Sequence, residues 1–245
     1  MAVVRPFRAL RYDPAVAGPL ESLVAPPYDV IGAQEREALL ARSPYNVVHL
    51  TLPESEEDAA KELADWRERG VLVEEQEPAF WWLAQEYVGP DGVERRREGF
   101  VAALQAEPYA NQVVLPHERT HAGPKEGRLR LLQASRTQLE PLFFLWDGTI
   151  EIDGLGDPEL QSGGDSLWRL DAEFGDALAE EIRDSQLLIA DGHHRYETTL
   201  EAGEPWLLAV IVPTGQEGLT IFPTHRVAES AGAASGTPID PPGGD

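Results

Sequence analysis

Two hydrophobic periods alternate along this chain. Apolar residues spaced three and four apart mark helices, while alternating or unbroken apolar runs mark strands. Gln34 to Ala41 reads as a short helix ahead of Ser43-Pro44. Ser55, with Asp58 three residues on, resembles a capping box. The helix it opens carries Ala59, Leu63 and Trp66 on one face and stops at Gly70. Lys125 to Ser135 is a third helix, with Leu129 and Leu132 inward. Ala172 to Arg183 is an amphipathic fourth, and His194 to Ala202 a short fifth. Val47 to Leu52 alternates in part, as a strand does. Ala79 to Val88 and Val93 to Leu104 read as two strands joined by the turn Gly89-Pro90-Asp91-Gly92. Leu142 to Trp146 reads as a buried strand and Leu187 to Ala190 as a short apolar one. Ile150 to Gly164 is loop-like, and Trp206 to Val212 with Leu219 to Phe222 forms a closing hairpin.

These elements predict an α+β fold: a mixed, largely antiparallel sheet with packed helices. The clean strand–helix alternation of a doubly wound sheet is missing. Residues 1–228 form the α+β domain, divisible into subdomains of about 1–110 and 111–228. Residues 229–245 are rich in Gly, Ala, Ser and Pro and read as a disordered tail. Trp81 and Trp82 are neighbours on a strand, so they face opposite sides. Core packing accounts for one of them and partial burial for the other, and no cofactor box follows.

Composition removes several function classes. Cysteine is absent, which excludes disulfides, thiolate metal sites and cysteine nucleophiles. The formal net charge is −23, and a surface this acidic repels phosphate backbones, so nucleic acid is not the expected partner. Lys61 and Lys125 are the only lysines, and arginine supplies the remaining positive charge. An anionic ligand therefore needs a local basic pocket. No apolar run approaches the ~20 residues of a spanning helix, and Met1 to Leu10 lacks the apolar stretch of a secretory signal. The expected setting is cytoplasmic, with a small-molecule substrate and no membrane partner.

The densest candidate chemistry is Asp191-Gly192-His193-His194-Arg195-Tyr196, between an apolar strand and a short helix. Gly192 permits positive φ and close approach of a ligand to the backbone. The first turn of the helix offers unpaired N–H groups and a dipole that favours an anion. Arg195 adds a planar fork suited to phosphate oxygens. His193 and His194 can donate hydrogen bonds or exchange protons near neutral pH. Asp191 can orient a histidine, cap the helix or hold a metal ion with a nucleotide. The plainer reading is a turn with Asp191 as N-cap, one histidine packed and one solvated. Adjacent histidines point different ways on a helix, unlike the i, i+4 pair of a zinc protease, so no metal ligands are assigned.

A second polar stretch is Pro116-His117-Glu118-Arg119-Thr120-His121, followed by Gly123-Pro124-Lys125-Glu126-Gly127-Arg128. It reads either as a substrate loop whose Lys125 and Arg128 meet an anion, or as a solvated charged loop. Thr224-His225-Arg226 repeats the His-Arg theme, with a strand end facing water as its plainer reading. Ala25-Pro26-Pro27-Tyr28-Asp29-Val30 and Ser43-Pro44-Tyr45-Asn46 are constrained turns with polar tips, or tight connections and nothing more.

Taken in order, seven stretches resemble the bacterial and archaeal proteins of domain of unknown function family 1015. They are Pro6 to Tyr12, Ala25 to Val30, Ser43 to Val48, Leu115 to Glu118, Gly123 to Lys125, Ala190 to Thr198 and Pro223 to Arg226. Members of that family run well beyond this chain's length, so the resemblance implies a shortened member. Asp191 to Arg195 is also similar to the nucleotide-phosphate motif of the ParB/sulfiredoxin superfamily, which includes free-serine kinases. Sulfiredoxin carries a cysteine where His193 stands, so its thiol chemistry is excluded here. ParB-type DNA partition requires a separate DNA-binding domain and a less acidic surface.

That second resemblance implies a ParB/sulfiredoxin-like phosphate-binding unit and a small-molecule kinase using ATP or ADP with Mg²⁺. Asp191, Gly192, His193, His194, Arg195 and Lys125 are then the cofactor-binding residues. The catalytic candidates are Glu118, Asp29 and His193. Either carboxylate could accept the hydroxyl proton, and spacing does not choose between them. The alternatives are a non-catalytic nucleotide-binding regulator and a metal-dependent hydrolase.

Overall fold

The computed structural model describes residues 1–118, 122–150 and 152–220, with backbone only for 122–124. In chain order the strands are β1 (Val4–Arg5), β2 (Leu10–Tyr12), β3 (Leu72–Glu74), β4 (Trp81–Val88), β5 (Glu94–Gln105) and β6 (Val114–Leu115). They continue with β7 (Leu142–Trp146), β8 (Leu160–Ser162), β9 (Asp165–Arg169), β10 (Leu187–Asp191) and β11 (Trp206–Pro213). The helices are α1 (Pro14–Ala17), α2 (Ala33–Arg42), α3 (Val48–Thr51), α4 (Glu56–Glu68), α5 (Ala122–Ser135), α6 (Ala172–Ile182) and α7 (His193–Glu201).

Nine strands form one mixed sheet in the order β6-β10-β7-β11-β5-β4-β9-β8, with β1 also paired to β5. The pairs β6–β10 and β7–β11 are parallel, and the other pairs described in this sheet are antiparallel. β2 and β3 form a separate two-stranded ribbon. The fold is α+β, as the pattern predicts.

Alternation along the strands builds two faces. One carries Phe80, Trp82, Phe100, Ala102, Leu104, Phe144, Ile189 and Ile211, and packs with Leu178 and Ile182 of α6 and Tyr196 of α7. The other carries Leu83, Leu145, Val210 and Val212. A separate cluster, in which Leu23, Leu50, Leu63, Trp66 and Val71 meet, holds the N-terminal helices together. Trp81 and Trp82 do face opposite sides, but both are buried. Trp81 lies on the second face, beside an apolar cavity of about 590 Å³ that Tyr12, Leu50, Leu63 and Leu72 also line.

α4 begins and ends where the sequence indicates. The Ser55 hydroxyl accepts from the Asp58 amide at 3.1 Å, and Gly70 takes φ +71° beyond its end. Four expectations are corrected. Val47 to Leu52 is helical over α3 rather than a strand, because Asn46 is buried there as a local tie. Its Oδ1 accepts from the Val48 amide at 3.1 Å, while its Nδ2 donates to Ser22 and Val24 carbonyls at 2.8 and 3.0 Å. The inward residue of α5 is Leu131; Leu129 and Leu132 are half-buried. The stretch 150–164 is not all loop: β8 lies in it and forms a hairpin with β9, which packs on β4. β11 is a central strand between β5 and β7 rather than half of a closing hairpin. Leu219 and Thr220 are outside any strand, and the remainder of that expected hairpin, with the 229–245 tail, lies outside the described residues.

Candidate functional site

The two polar stretches, more than 70 residues apart in sequence, meet because β6 and β10 are parallel neighbours. Val114 pairs with Leu187 and Leu115 with Leu188. Both strands then run out at the same edge, so Pro116-His117-Glu118 leaves beside Ile189 to His193. β10 changes register against β7 between Ile189 and Asp191. Such an irregularity re-aims the chain at a strand end. Gly192 follows at φ +99° as the N-cap of α7 and, being glycine, has no side chain with which to cap the first turn. A Cβ at Gly192 would come within 3.0 Å of Leu142 Cγ and 3.2 Å of an Arg195 terminal nitrogen. The positive φ favours glycine, and the space for a side chain is tight.

His193 is buried, with its side chain 2% exposed, and its two nitrogens face different partners. The His117 backbone N–H donates to Nε2 at 3.3 Å, which places the imidazole proton of the neutral ring on Nδ1. Nδ1 lies 3.2 Å from Oε1 of Glu118, a half-exposed carboxylate. Burial pulls the His193 pKa below the ordinary histidine value; Glu118 opposes this, and His117 reinforces it. Near neutral pH the pair is thus a neutral imidazole donating to a carboxylate. His117 lies edge-on to His193, with ring centroids 4.5 Å apart. Its Nδ1 is 2.6 Å from the Ile189 carbonyl oxygen, which can only accept, so that nitrogen carries the proton.

Arg195 does not present a free fork. One terminal nitrogen donates to Asp191 Oδ2 at 2.6 Å and the other to the Pro141 carbonyl at 2.6 Å. Its side chain is 13% exposed and ties the end of β10 to the start of β7. A further charged group gathers around it. Arg128 of α5 stacks on Tyr28 at 3.6 Å, donates to the Thr51 carbonyl at 3.0 Å and lies 3.5 Å from Glu140. The Tyr28 amide meets Glu140 at 3.4 Å. Burial raises the Glu140 pKa, while the positive charges of Arg195 and Arg128 oppose the rise and Asp29 adds to it. Asp29 thus sits in the field of this second group, and Asp191 links the two: its charge acts on His193 and its carboxylate pairs with Arg195.

Lys125 is turned to the flank of α7, 2.9 Å from Glu201 and 3.5 Å from Glu197. These pairs hold α5 against α7. Tyr196 is a packing residue: its hydroxyl donates to the Glu107 carbonyl at 2.6 Å, its ring stacks on Tyr109, and burial pushes its pKa up to about 12. His121 and Thr224-His225-Arg226 lie outside the described residues. None of the residues around His193 lines the large apolar cavity.

The order of these stretches along the chain is matched by one family model, described as a protein of unknown function (DUF1015), over residues 4–237. The chain belongs to the DUF1015 family. No curated protein and no solved structure matches it. In this DUF1015 chain the described part of the match takes in both strand ends and the N-terminal turns, so the grouping just described lies within the family's span.

Glu140 was not legible as a site residue. It stands alone between Leu139 and Pro141, with no motif around it. The available signal was a carboxylate directly before a buried strand. Arg128 and Tyr28 were visible as parts of separate stretches, but not their stacking. Among the described residues no helix is long and apolar enough to cross a membrane.

Proposed function

We propose that this protein is a nucleotide-dependent phosphotransferase acting on a small hydroxyl compound, free serine being one candidate. The carrying observation is the Glu118–His193 pair, 3.2 Å apart, beside a helix whose N-cap is the bare glycine Gly192. A helix start behind a left-handed glycine suits phosphate oxygens, through backbone N–H groups and the helix dipole. The residues present fit a nucleotide's phosphates to that extent: Gly192 leaves the backbone bare, and His193, His194 and Arg195 form the first turn. The Arg195 fork stabilises the turn, and it reaches a phosphate only by leaving Asp191. A bound nucleotide with Mg²⁺ would supply the phosphoryl group.

Of the two carboxylates considered for proton acceptance, the geometry favours Glu118. Neutral His193 donates Nδ1–H to it, which orients the carboxylate. Glu118 is half-exposed, so a substrate hydroxyl can approach it. Asp29 belongs with Arg128 and Glu140, a group suited to holding a charged substrate.

The test is calorimetry with ATP and ADP on the folded chain, followed by transfer assays over a panel of hydroxy compounds. Binding of one nucleotide and phosphate transfer lost in Glu118→Gln are expected. Absence of binding by either nucleotide overturns the reading, and binding without transfer to any acceptor replaces it with a nucleotide-responsive regulator.

A further inference from the structure

His117, Glu118 and His193 each offer one ligand atom, and the three atoms lie within 4.8 Å of one another. We infer that this cluster is a binding site for a divalent first-row transition metal, with Zn²⁺ as the representative ion. Two imidazoles and one carboxylate form the donor set that borderline cations prefer; Mg²⁺ and Ca²⁺ favour oxygen donors alone. Three protein ligands leave a further coordination position for water or a small anion, which is the pattern of a reactive site.

The surroundings of His117 support this assignment. A metal-bound histidine characteristically gives its other N–H to a backbone carbonyl or carboxylate, which fixes tautomer and ring orientation. His117 Nδ1 already does so to Ile189 at 2.6 Å, leaving Nε2 as the free lone pair. On His193 the nitrogen facing the cluster is Nδ1, 3.2 Å from Glu118. Metal binding puts the cation where that proton stands and transfers the proton to Nε2. The His117 amide, 3.3 Å from Nε2, then faces a second donor, so binding requires the 117–118 segment to turn away from that nitrogen. No net proton leaves the imidazole, and Glu118 enters as the carboxylate.

Ligand atoms around zinc sit about 2.0–2.2 Å from the ion, which places donor pairs roughly 3–4 Å apart. Closing the cluster from 4.8 Å needs a small inward movement. Glu118, 54% exposed in the loop after β6, can make it. Buried His193 provides the fixed anchor. The position is also built by tertiary structure: two parallel strand ends deliver donors from residues 76 apart in sequence.

The experiment is Zn²⁺ titration of the full chain by calorimetry, with Co²⁺ substitution read by visible absorption. One strong site is expected, with the intense d–d bands of low-coordinate Co²⁺. His117→Ala and Glu118→Gln should each weaken it at least tenfold, with the far-ultraviolet dichroism unchanged. Both side chains are exposed enough for those replacements to fold. Zn²⁺ binding of unaltered strength in both variants would assign the ion to the acidic surface and overturn the site. So would absence of a strong site in the native chain. The measurement involves no nucleotide, so its failure is distinguishable from failure of the phosphotransfer reading; a strong site would make Glu118 a ligand and remove it as the free proton acceptor.

Discussion

Oε1 of Glu118 lies 3.2 Å from Nδ1 of His193, joining the loop after β6 to the first turn of α7. The relationship depends on His193 being a neutral donor at Nδ1, which the His117 amide enforces from the other side of the ring. Glu118→Gln keeps the shape but removes the basic lone pair. Under the phosphotransfer reading it should lower turnover by about 10²- to 10⁴-fold, the usual contribution of a positioned base, while nucleotide affinity changes little. Steady-state kinetics beside calorimetry checks this. A turnover equal to the native rate would remove Glu118 as the proton acceptor.

Arg195 is predicted to matter first for stability. Its hydrogen bonds to Asp191 and Pro141 are charge-assisted, and the guanidinium side is 13% exposed although the Asp191 carboxylate is open to solvent. Arg195→Ala leaves the Pro141 carbonyl and the Asp191 carboxylate without this partner and should cost about 1–3 kcal/mol. Urea denaturation measures it. In a cycle with Asp191→Asn, the double variant should lose less than the sum of the singles, because the pair is one interaction.

Gly192→Ala should destabilise the chain by about 1–2 kcal/mol from the left-handed backbone alone. The contact with Leu142 adds to this, since the new methyl group meets its Cγ at 3.0 Å. Thermal unfolding should shift downward. The His193–Glu118 geometry should loosen with it, seen as a histidine chemical-shift change.

Glu75 provides a pH-dependent contribution. Its carboxylate is hydrogen-bonded by Arg11 and lies 3.0 Å from Arg169, and these guanidiniums hold its pKa below the ordinary glutamate value. A carboxyl with a lowered folded pKa stabilises the native state above its unfolded pKa. That contribution is lost as pH falls through the folded value. Stability should therefore decline on acidification below about pH 4.5. Glu75→Gln should flatten that part of the profile and lower stability at neutral pH. Denaturation curves at several pH values test both.

Much of this protein was legible along the chain. Local rules operate over a few residues, so the cap at Ser55, the stop at Gly70, the hairpin around Gly89 to Gly92 and the glycine-led start of α7 are visible in sequence. Absence of cysteine likewise bounds the chemistry without any coordinates. Alternation in 47–52 misled because buried Asn46 makes side-chain hydrogen bonds that a hydrophobic pattern does not register. Both tryptophans at 81 and 82 are covered because a second layer lies across the sheet, which strand periodicity cannot reveal.

The candidate site divides the same way. The sequence by itself determined which residue types could bind an anion or move a proton, because those properties belong to side chains and to glycine's backbone freedom. Only the tertiary structure decided their partners. Pairing β6 with β10 set Glu118 against His193, while Asp191 and Pro141 took up the Arg195 fork and Glu197 and Glu201 took up Lys125. Hydrogen bonds and ion pairs act over a few ångströms, and strand order, which no local pattern encodes, decides which groups come within that range.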